Sequence, residues 1–119
     1  MAHGAGLRRE SGDAELASHI MHDYTQAELD PKTRAILDYA YKLTVAPSDV
    51  HHDDFVALQA AGVNDQEALS TVLITSLFNF MTRIADGLGV EPAPGRQKLV
   101  EEWLLSPARD QRWLMEPKT

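Results

Sequence analysis

The residues most able to do chemistry in this sequence are five histidines, four of which come in two close pairs. His19 and His22 are three residues apart, so their imidazoles could face one metal ion from the same side of a helix. The neighbouring Ile20, Met21 and Tyr24 form the apolar inner face of that helix, which leaves the histidines on its solvated flank. We favour the surface interpretation, because two histidines without a third ligand do not define a metal site.

A denser cluster is His51-His52-Asp53-Asp54. Adjacent residues on a helix point about 100° apart, so these four side chains cannot converge on one ion unless the helix unwinds. Carboxylates at the start of a helix have a simpler role, because they accept hydrogen bonds from free backbone N–H groups and face the positive end of the helix dipole. The pattern therefore favours a helix cap in a solvated loop over a metal centre.

Two further carboxylates, Asp38 and Asp86, interrupt apolar stretches of the chain. Arg83 stands three residues before Asp86 on an otherwise apolar segment, and it needs a partner if it is buried. We predict structural ion pairs, for instance between Asp86 and Arg83, in preference to a substrate site or a carboxyl with a catalytically tuned pKa.

Composition excludes several classes of function. The 119 residues contain no cysteine, so neither a disulfide, a thiolate nucleophile nor a cysteine-ligated zinc site can be built from them. The net charge of -7 opposes binding to nucleic acid and to anionic membranes. Residues 1–10 lack the apolar run of a signal peptide, and the most apolar stretch, residues 72–81, is short of the roughly 20 residues that a membrane span needs. We expect a cytoplasmic protein that binds neither nucleic acid, membrane, metal nor cofactor.

Helix signals predict an all-α bundle of about five to six helices around a central apolar helix. One helix should begin at Asp30-Pro31, an N-cap followed by proline in the first turn. Asn64 and Glu67 have the spacing of a capping box, and the helix that follows is apolar almost all round until Gly89 ends it. A helix with so little polar surface must be covered on several sides, either at the centre of the core or against another subunit.

The chain is expected to hold one helical domain over residues 1–94 and a C-terminal helical extension over residues 95–119. Pro92 and Pro94 mark the connector between them. The extension has an amphipathic segment and a final short turn, whose apolar residues are Leu99, Val100, Trp103 and Leu104, then Trp113 and Leu114.

A series of short motifs, in order, carries a family resemblance. They are His3-Gly4-Ala5-Gly6-Leu7-Arg8, Leu29-Asp30-Pro31, Arg34-Ala35-Ile36-Leu37-Asp38-Tyr39-Ala40, Lys42-Leu43-Thr44, Leu58, Ala61-Gly62, Asp65, Leu77-Phe78-Asn79-Phe80 and Arg83-Ile84-Ala85-Asp86-Gly87-Leu88-Gly89-Val90. Together they resemble the peroxidase-related branch of the alkylhydroperoxidase D-like, carboxymuconolactone decarboxylase superfamily. The resemblance extends from His3 to about Pro94 and implies an all-helical, usually oligomeric protein.

The resemblance also implies a catalytic role for His3. Peroxidases of this family use a Cys-x-x-Cys-x-x-x-His motif with an upstream glutamate in the proton relay, and His3 aligns with the motif histidine. The second cysteine would fall just ahead of Met1, so the sequence resembles the C-terminal part of the family and starts inside the motif. A small hydroperoxide could be a substrate only if the missing thiols were supplied. The family's Asn-Arg pair is Thr82-Arg83 here, which predicts a weaker buried hydrogen bond.

Three functional hypotheses follow from the sequence. The first is a family member, ancestrally a thiol-dependent peroxidase, that is inactive without its two cysteines. The second is a non-catalytic helical module that forms a homo-oligomer through its apolar helix. The third, and weakest, is a metal-dependent enzyme that uses His19 with His22, or the His51–His52 pair.

Overall fold

A computed structural model describes residues 2–91 and 93–95, although not the side chains of Ala2, Ala14 and His22. The described residues form helices and turns without any strand, as the all-α prediction requires. The α-helices are α1 (Ala2–Ser11), α2 (Ala14–Asp23), α3 (Pro31–Val45), α4 (His52–Ala60) and α5 (Asp65–Gly87), and short 3₁₀ turns lie at Tyr24–Gln26 and Pro47–Asp49. The chain divides into two compact units, one with α1 and α2, the other, Leu29–Glu91, with α3, α4 and α5.

In the first unit, α1 packs along α2. Ala17 is completely buried, and Leu7 and Met21 pack against it. The buried Ser18 hydroxyl accepts a hydrogen bond of 3.1 Å from the Arg8 guanidinium. Sequence reasoning assigned no helix to α1, whose two glycines lower helix propensity. A small core around Ala17 and the Arg8–Ser18 hydrogen bond therefore contribute to holding these two helices together.

In the second unit, α3 packs against both α4 and α5, and α4 also contacts α5. The core of this unit is Leu58, Val63 and Ala68, each no more than 2% exposed. Around it lie four partly buried residues, namely Ala35, Ile36, Tyr39 and Phe55. The three helices thus share one core at the turn between α4 and α5.

Local sequence signals start and stop these helices, and three of the signals, at Asp30, Asn64 and Gly89, are those that the sequence predicted. Asp13, Asp30 and Asn64 are the N-caps of α2, α3 and α5, and the side chain of each accepts hydrogen bonds from the first turn. Beyond the ends of α4 and α5, Gly62 and Gly89 have φ of 89° and 63°, a left-handed conformation that glycine adopts without steric cost.

The structure differs from the sequence prediction at the start of α4. The sequence predicted a solvated loop with a cap at His51–Asp54, but Pro47–Asp49 forms a separate 3₁₀ turn before α4 begins at His52. The predicted helix over Leu99–Leu104, the turn at Trp113 and most of the extension from residue 95 lie outside the described residues. The boundary predicted at residue 94 stays a prediction.

Candidate functional site

His3, the histidine singled out by the family resemblance, lies in the first turns of α1 and is exposed. An imidazole nitrogen can donate or accept a proton during a reaction. It cannot replace a thiolate as the nucleophile that attacks an O–O bond. His3 is therefore chemically suited to a supporting role, and its assignment as a catalytic residue stays a prediction.

The structure describes one of the two side chains in the histidine pair on α2. His19 is exposed and borders a shallow polar depression with Asp13, Glu15 and Glu28, whereas the His22 side chain is outside the described structure. Asp13 already accepts hydrogen bonds from the backbone of the first turn of α2. Over the described residues, no group of three or more histidine and carboxylate side chains has the geometry to hold a metal ion.

The His51–Asp54 cluster is a helix cap, as predicted. His51 is the N-cap of α4, and the Asp54 carboxylate accepts a hydrogen bond of 2.8 Å from the His51 backbone N–H. Lys42 of α3 also donates to both Asp54 oxygens, at 2.7 and 2.8 Å. These contacts lower the pKa of Asp54, first through the His51 hydrogen bond and then through Lys42. The carboxylate therefore stays ionised and connects α3 to α4.

A second lysine–carboxylate pair connects α3 to α5. Lys32 donates to Glu67 at 2.6 Å, and Glu67 also accepts a hydrogen bond of 2.9 Å from the Asn64 backbone N–H. The lysine contact, followed by the Asn64 hydrogen bond, lowers the pKa of Glu67. Asn64 in turn accepts from the Glu67 backbone N–H at 2.9 Å, which completes the capping box that the sequence predicted.

Other predicted ionic positions also have structural roles. Asp38 forms an ion pair of 3.1 Å with Arg34, four residues earlier on α3. Arg83 is exposed and donates to the Asn79 carbonyl at 3.1 Å. The hydroxyl of Thr82 donates to the carbonyls of Phe78 and Asn79, so this exposed side chain bonds to its own helix. The proposed pair between Arg83 and Asp86 stays a prediction.

A groove of about 720 Å³ runs between α3 and α5. Apolar residues Ile36, Leu37 and Ile74 line it together with the polar residues Ser70 and Thr71. Both hydroxyls donate to carbonyls of their own helix, at 2.9 Å each. A specific ligand site needs a few polar groups that orient the ligand, and both of these hydroxyls already donate to their own helix.

The second unit has an exposed apolar surface on α5. Only two residues of this helix, Ala68 and Thr71, are buried, whereas nine large apolar side chains on or just beyond it are 40–76% exposed. They are Leu69, Leu73, Ile74, Leu77, Phe78, Phe80, Met81, Ile84 and Leu88. By length and composition α5 could also cross a membrane, a criterion that many core helices of soluble proteins meet.

Sequence reasoning missed the contacts that join the helices of the second unit. Lys42 and Asp54 are 12 residues apart, and Lys32 and Glu67 are 35 apart. The Asn79 amide donates to the Thr44 hydroxyl at 3.0 Å across 35 residues. Charge alone could not identify the two lysine–carboxylate pairs, because the sequence offers each lysine several possible carboxylate partners. The Asn79–Thr44 pair carries no charge, so charge gave no indication of it.

Comparison with known proteins gives a similarity to solved structures. No protein-family model and no curated protein matches the chain. Its fold is similar to the crystal structure of an uncharacterized peroxidase-related protein from Silicibacter sp. TM1040, with a TM-score of 0.72 and 33% sequence identity. The alignment covers 78% of this chain and 49% of that protein, so the chain spans about half the length of its neighbour.

Proposed function

We propose that this chain is a helical domain of the alkylhydroperoxidase D-like, carboxymuconolactone decarboxylase superfamily, in its peroxidase-related branch, and that its own residues do not reduce hydroperoxides. The observation that carries the proposal is the 33% identity and TM-score of 0.72 to a peroxidase-related protein. The ordered motifs from His3 to Val90 support the same family.

The chemistry of that family explains why the chain would be inactive alone. A thiolate attacks one oxygen of the hydroperoxide, so an S–O bond forms as the O–O bond breaks, and the alkoxide leaves as the alcohol after it takes a proton. A second thiol then displaces water from the sulfenic acid to form a disulfide, which an external dithiol reduces. None of the 119 residues is a cysteine. His3 could supply the proton, and both thiols would have to come from outside these residues.

A hydroperoxide-reduction assay with excess dithiol tests this proposal. We expect the 119-residue chain to consume an alkyl hydroperoxide no faster than buffer does. A version extended upstream in frame is expected to be active if it contains the Cys-x-x-Cys pair. In that active form, His3→Ala should lower the rate by about 100-fold, the low end of what general acid catalysis contributes, and His19→Ala is the matched control.

Activity in the cysteine-free chain would contradict the proposal, because it would require a different nucleophile. An inactive extended version that contains both cysteines would contradict the peroxidase ancestry. In that case the family assignment would rest on fold and sequence identity alone.

A second candidate function is non-catalytic self-association. The observation that favours it is the exposed apolar surface of α5, since apolar patches beyond a few hundred Å² are uncommon on monomers. The mass of the chain measured by sedimentation should rise with concentration. A constant monomer mass would rule out this function.

A further inference from the structure

The two sides of α5 differ in the size and polarity of their residues, and packing within the second unit does not explain the difference. The side packed against α3 and α4 contains small or polar residues, including Ala68, Thr71 and Asn79. Six of the nine exposed large apolar residues lie on the opposite side, and the other three, Ile74, Phe78 and Met81, lie between the two sides. A helix normally buries its larger apolar side chains, because burial contributes roughly 25 cal/mol per Å². The core of the second unit therefore uses the less hydrophobic side of α5.

Six residues of this surface form a continuous stripe with symmetric spacing. Successive members are four, four, three, four and four residues apart, and all lie within about 100° of the helix circumference. They are Leu69, Leu73, Leu77, Phe80, Ile84 and Leu88. This series of intervals reads the same in both directions along the helix. If a second α5 lies antiparallel to the first, each residue of the stripe therefore lies opposite a stripe residue of the other helix.

We propose that α5 pairs with the α5 of a second copy of this chain, antiparallel and about a two-fold axis between residues 78 and 79. In this register Leu69 lies opposite the partner's Leu88, and the same symmetry relates the inner positions. Leu73 then faces the partner's Ile84, and Leu77 faces the partner's Phe80. The proposal rests on the second candidate function, self-association, and names the surface and register through which it occurs.

The exposed area is sufficient for such an interface. The stripe and the flanking Ile74, Phe78 and Met81 together present on the order of 800 Å², about what each partner contributes to a stable interface of standard size. A two-fold interface uses the same patch on both copies, so it needs the self-complementary pattern that the stripe has. Antiparallel helices also place the positive end of each dipole beside the negative end of the other.

Charges on α5 favour a protein partner over a lipid bilayer. No position of the stripe is charged, and the charged residues of the helix, Asp65, Glu67, Arg83 and Asp86, are mostly acidic. A membrane-binding helix is typically flanked by Lys or Arg, which attract anionic headgroups. The net charge of -7 further opposes an anionic membrane surface.

Engineered disulfides test the register, because the chain has no native cysteine to interfere. Leu73→Cys and Ile84→Cys are made separately, then mixed and mildly oxidised. In the proposed register, Cys at 73 faces Cys at 84 of the other copy, so the mixture should form a disulfide dimer. Each variant alone should not, because the two identical positions are separated by about 16 Å along the axis, beyond the roughly 7 Å between Cα atoms that a disulfide can join.

A charge substitution tests the surface independently. Leu77→Lys places a cation near the centre of the stripe, where it should weaken association about 100-fold, as loss of a central anchor does. Val56→Lys is the matched control, since Val56 is also an exposed apolar residue but lies on α4. The control should keep the parent mass, and circular dichroism should show that both variants are helical.

The possible outcomes separate the two proposals. A constant monomer mass overturns self-association and the interface together. A dimer that gives no mixed disulfide, or in which Leu73→Cys links to itself, overturns the register while self-association stands. Cosedimentation of the parent chain with anionic lipid vesicles, lost in Leu77→Lys, would assign the surface to a membrane and overturn the proposed partner.

Discussion

The carboxylates with lowered pKa values share one local environment. Asp30, Asp54 and Glu67 each accept a backbone hydrogen bond at a helix start, and the largest cause for Asp30 is the hydroxyl of Thr33. A carboxyl that acts as a general acid or base near neutral pH needs its pKa raised toward that pH. These three are shifted in the opposite direction, so their chemistry is that of caps and ion pairs.

Asp54→Asn should lower the melting temperature at neutral pH, because it removes the carboxylate that Lys42 and the His51 N–H both contact. The folded-state pKa of Asp54 is below its ordinary value of 3.8. Its ionisation therefore stabilises the fold fully above that ordinary value, and the effect is lost as pH falls through the lowered pKa. The difference in melting temperature between parent and variant should shrink on acidification below about pH 4.

Asp53→Asn is the control for this experiment. Asp53 is exposed and lies in the same first turn of α4, so its replacement removes equal charge from the same helix terminus. A melting-temperature difference for Asp54→Asn that matched the control at every pH would show that the ion pair and cap add nothing beyond general charge.

At the scale of an element, α5 shows which features of a helix are set by the local sequence and which are set by tertiary packing. Its start is set by the reciprocal hydrogen bonds of Asn64 and Glu67, which involve residues three positions apart. Its end at Gly87 is followed by Leu88 and by Gly89 in the left-handed region. The length of the helix is therefore encoded locally, whereas the side that faces α3 and α4 depends on the whole unit.

Asn64→Ala should lower the free energy of unfolding by about 1 kcal/mol, the usual cost of losing an N-cap side chain. The variant leaves the Glu67 backbone N–H without its 2.9 Å partner. Urea denaturation measures the change, with Gln66→Ala in the first turn of the same helix as the control. Equal midpoints for the two variants would contradict a stabilising role for the cap.

At the scale of the whole molecule, the described residues contain two small cores. Five hydrophobic residues are buried, namely Ala17, Ala27, Leu58, Val63 and Ala68. Large side chains are scarce among them, and several larger ones lie exposed on α5. Small cores leave a narrow margin of stability, so association through α5 would add stability by mass action.

Leu58→Ala should be the most damaging single truncation in the second unit. Leu58 is 1% exposed and is the largest fully buried side chain among the described residues. Truncation of a buried leucine costs about 2–5 kcal/mol. Val56→Ala, two residues earlier and 45% exposed, should change stability by no more than about 0.5 kcal/mol. Thermal unfolding of the two variants compares them, and similar melting temperatures would show that this core does not hold the unit together.

The sequence alone determined the helical class and most helix termini. Asp30 and Asn64 could be identified as N-caps because each bonds to backbone within three residues. The two glycines that follow α4 and α5 were identifiable because their left-handed conformation is a local property. Local hydrogen bonds and backbone sterics depend on neighbouring residues, so they can be predicted without tertiary information.

Only the tertiary structure decided which distant residues meet and which side of α5 is covered. Apolar residues surround most of α5. Hydrophobic periodicity therefore did not distinguish a helix at the centre of the core from a helix at an interface with another subunit. Packing against α3 selected the side with Asn79, which bonds to Thr44, and left Leu73 and Leu77 exposed. The choice depends on how three helices fit together, because the side of α5 that packs in the core is not its most hydrophobic side.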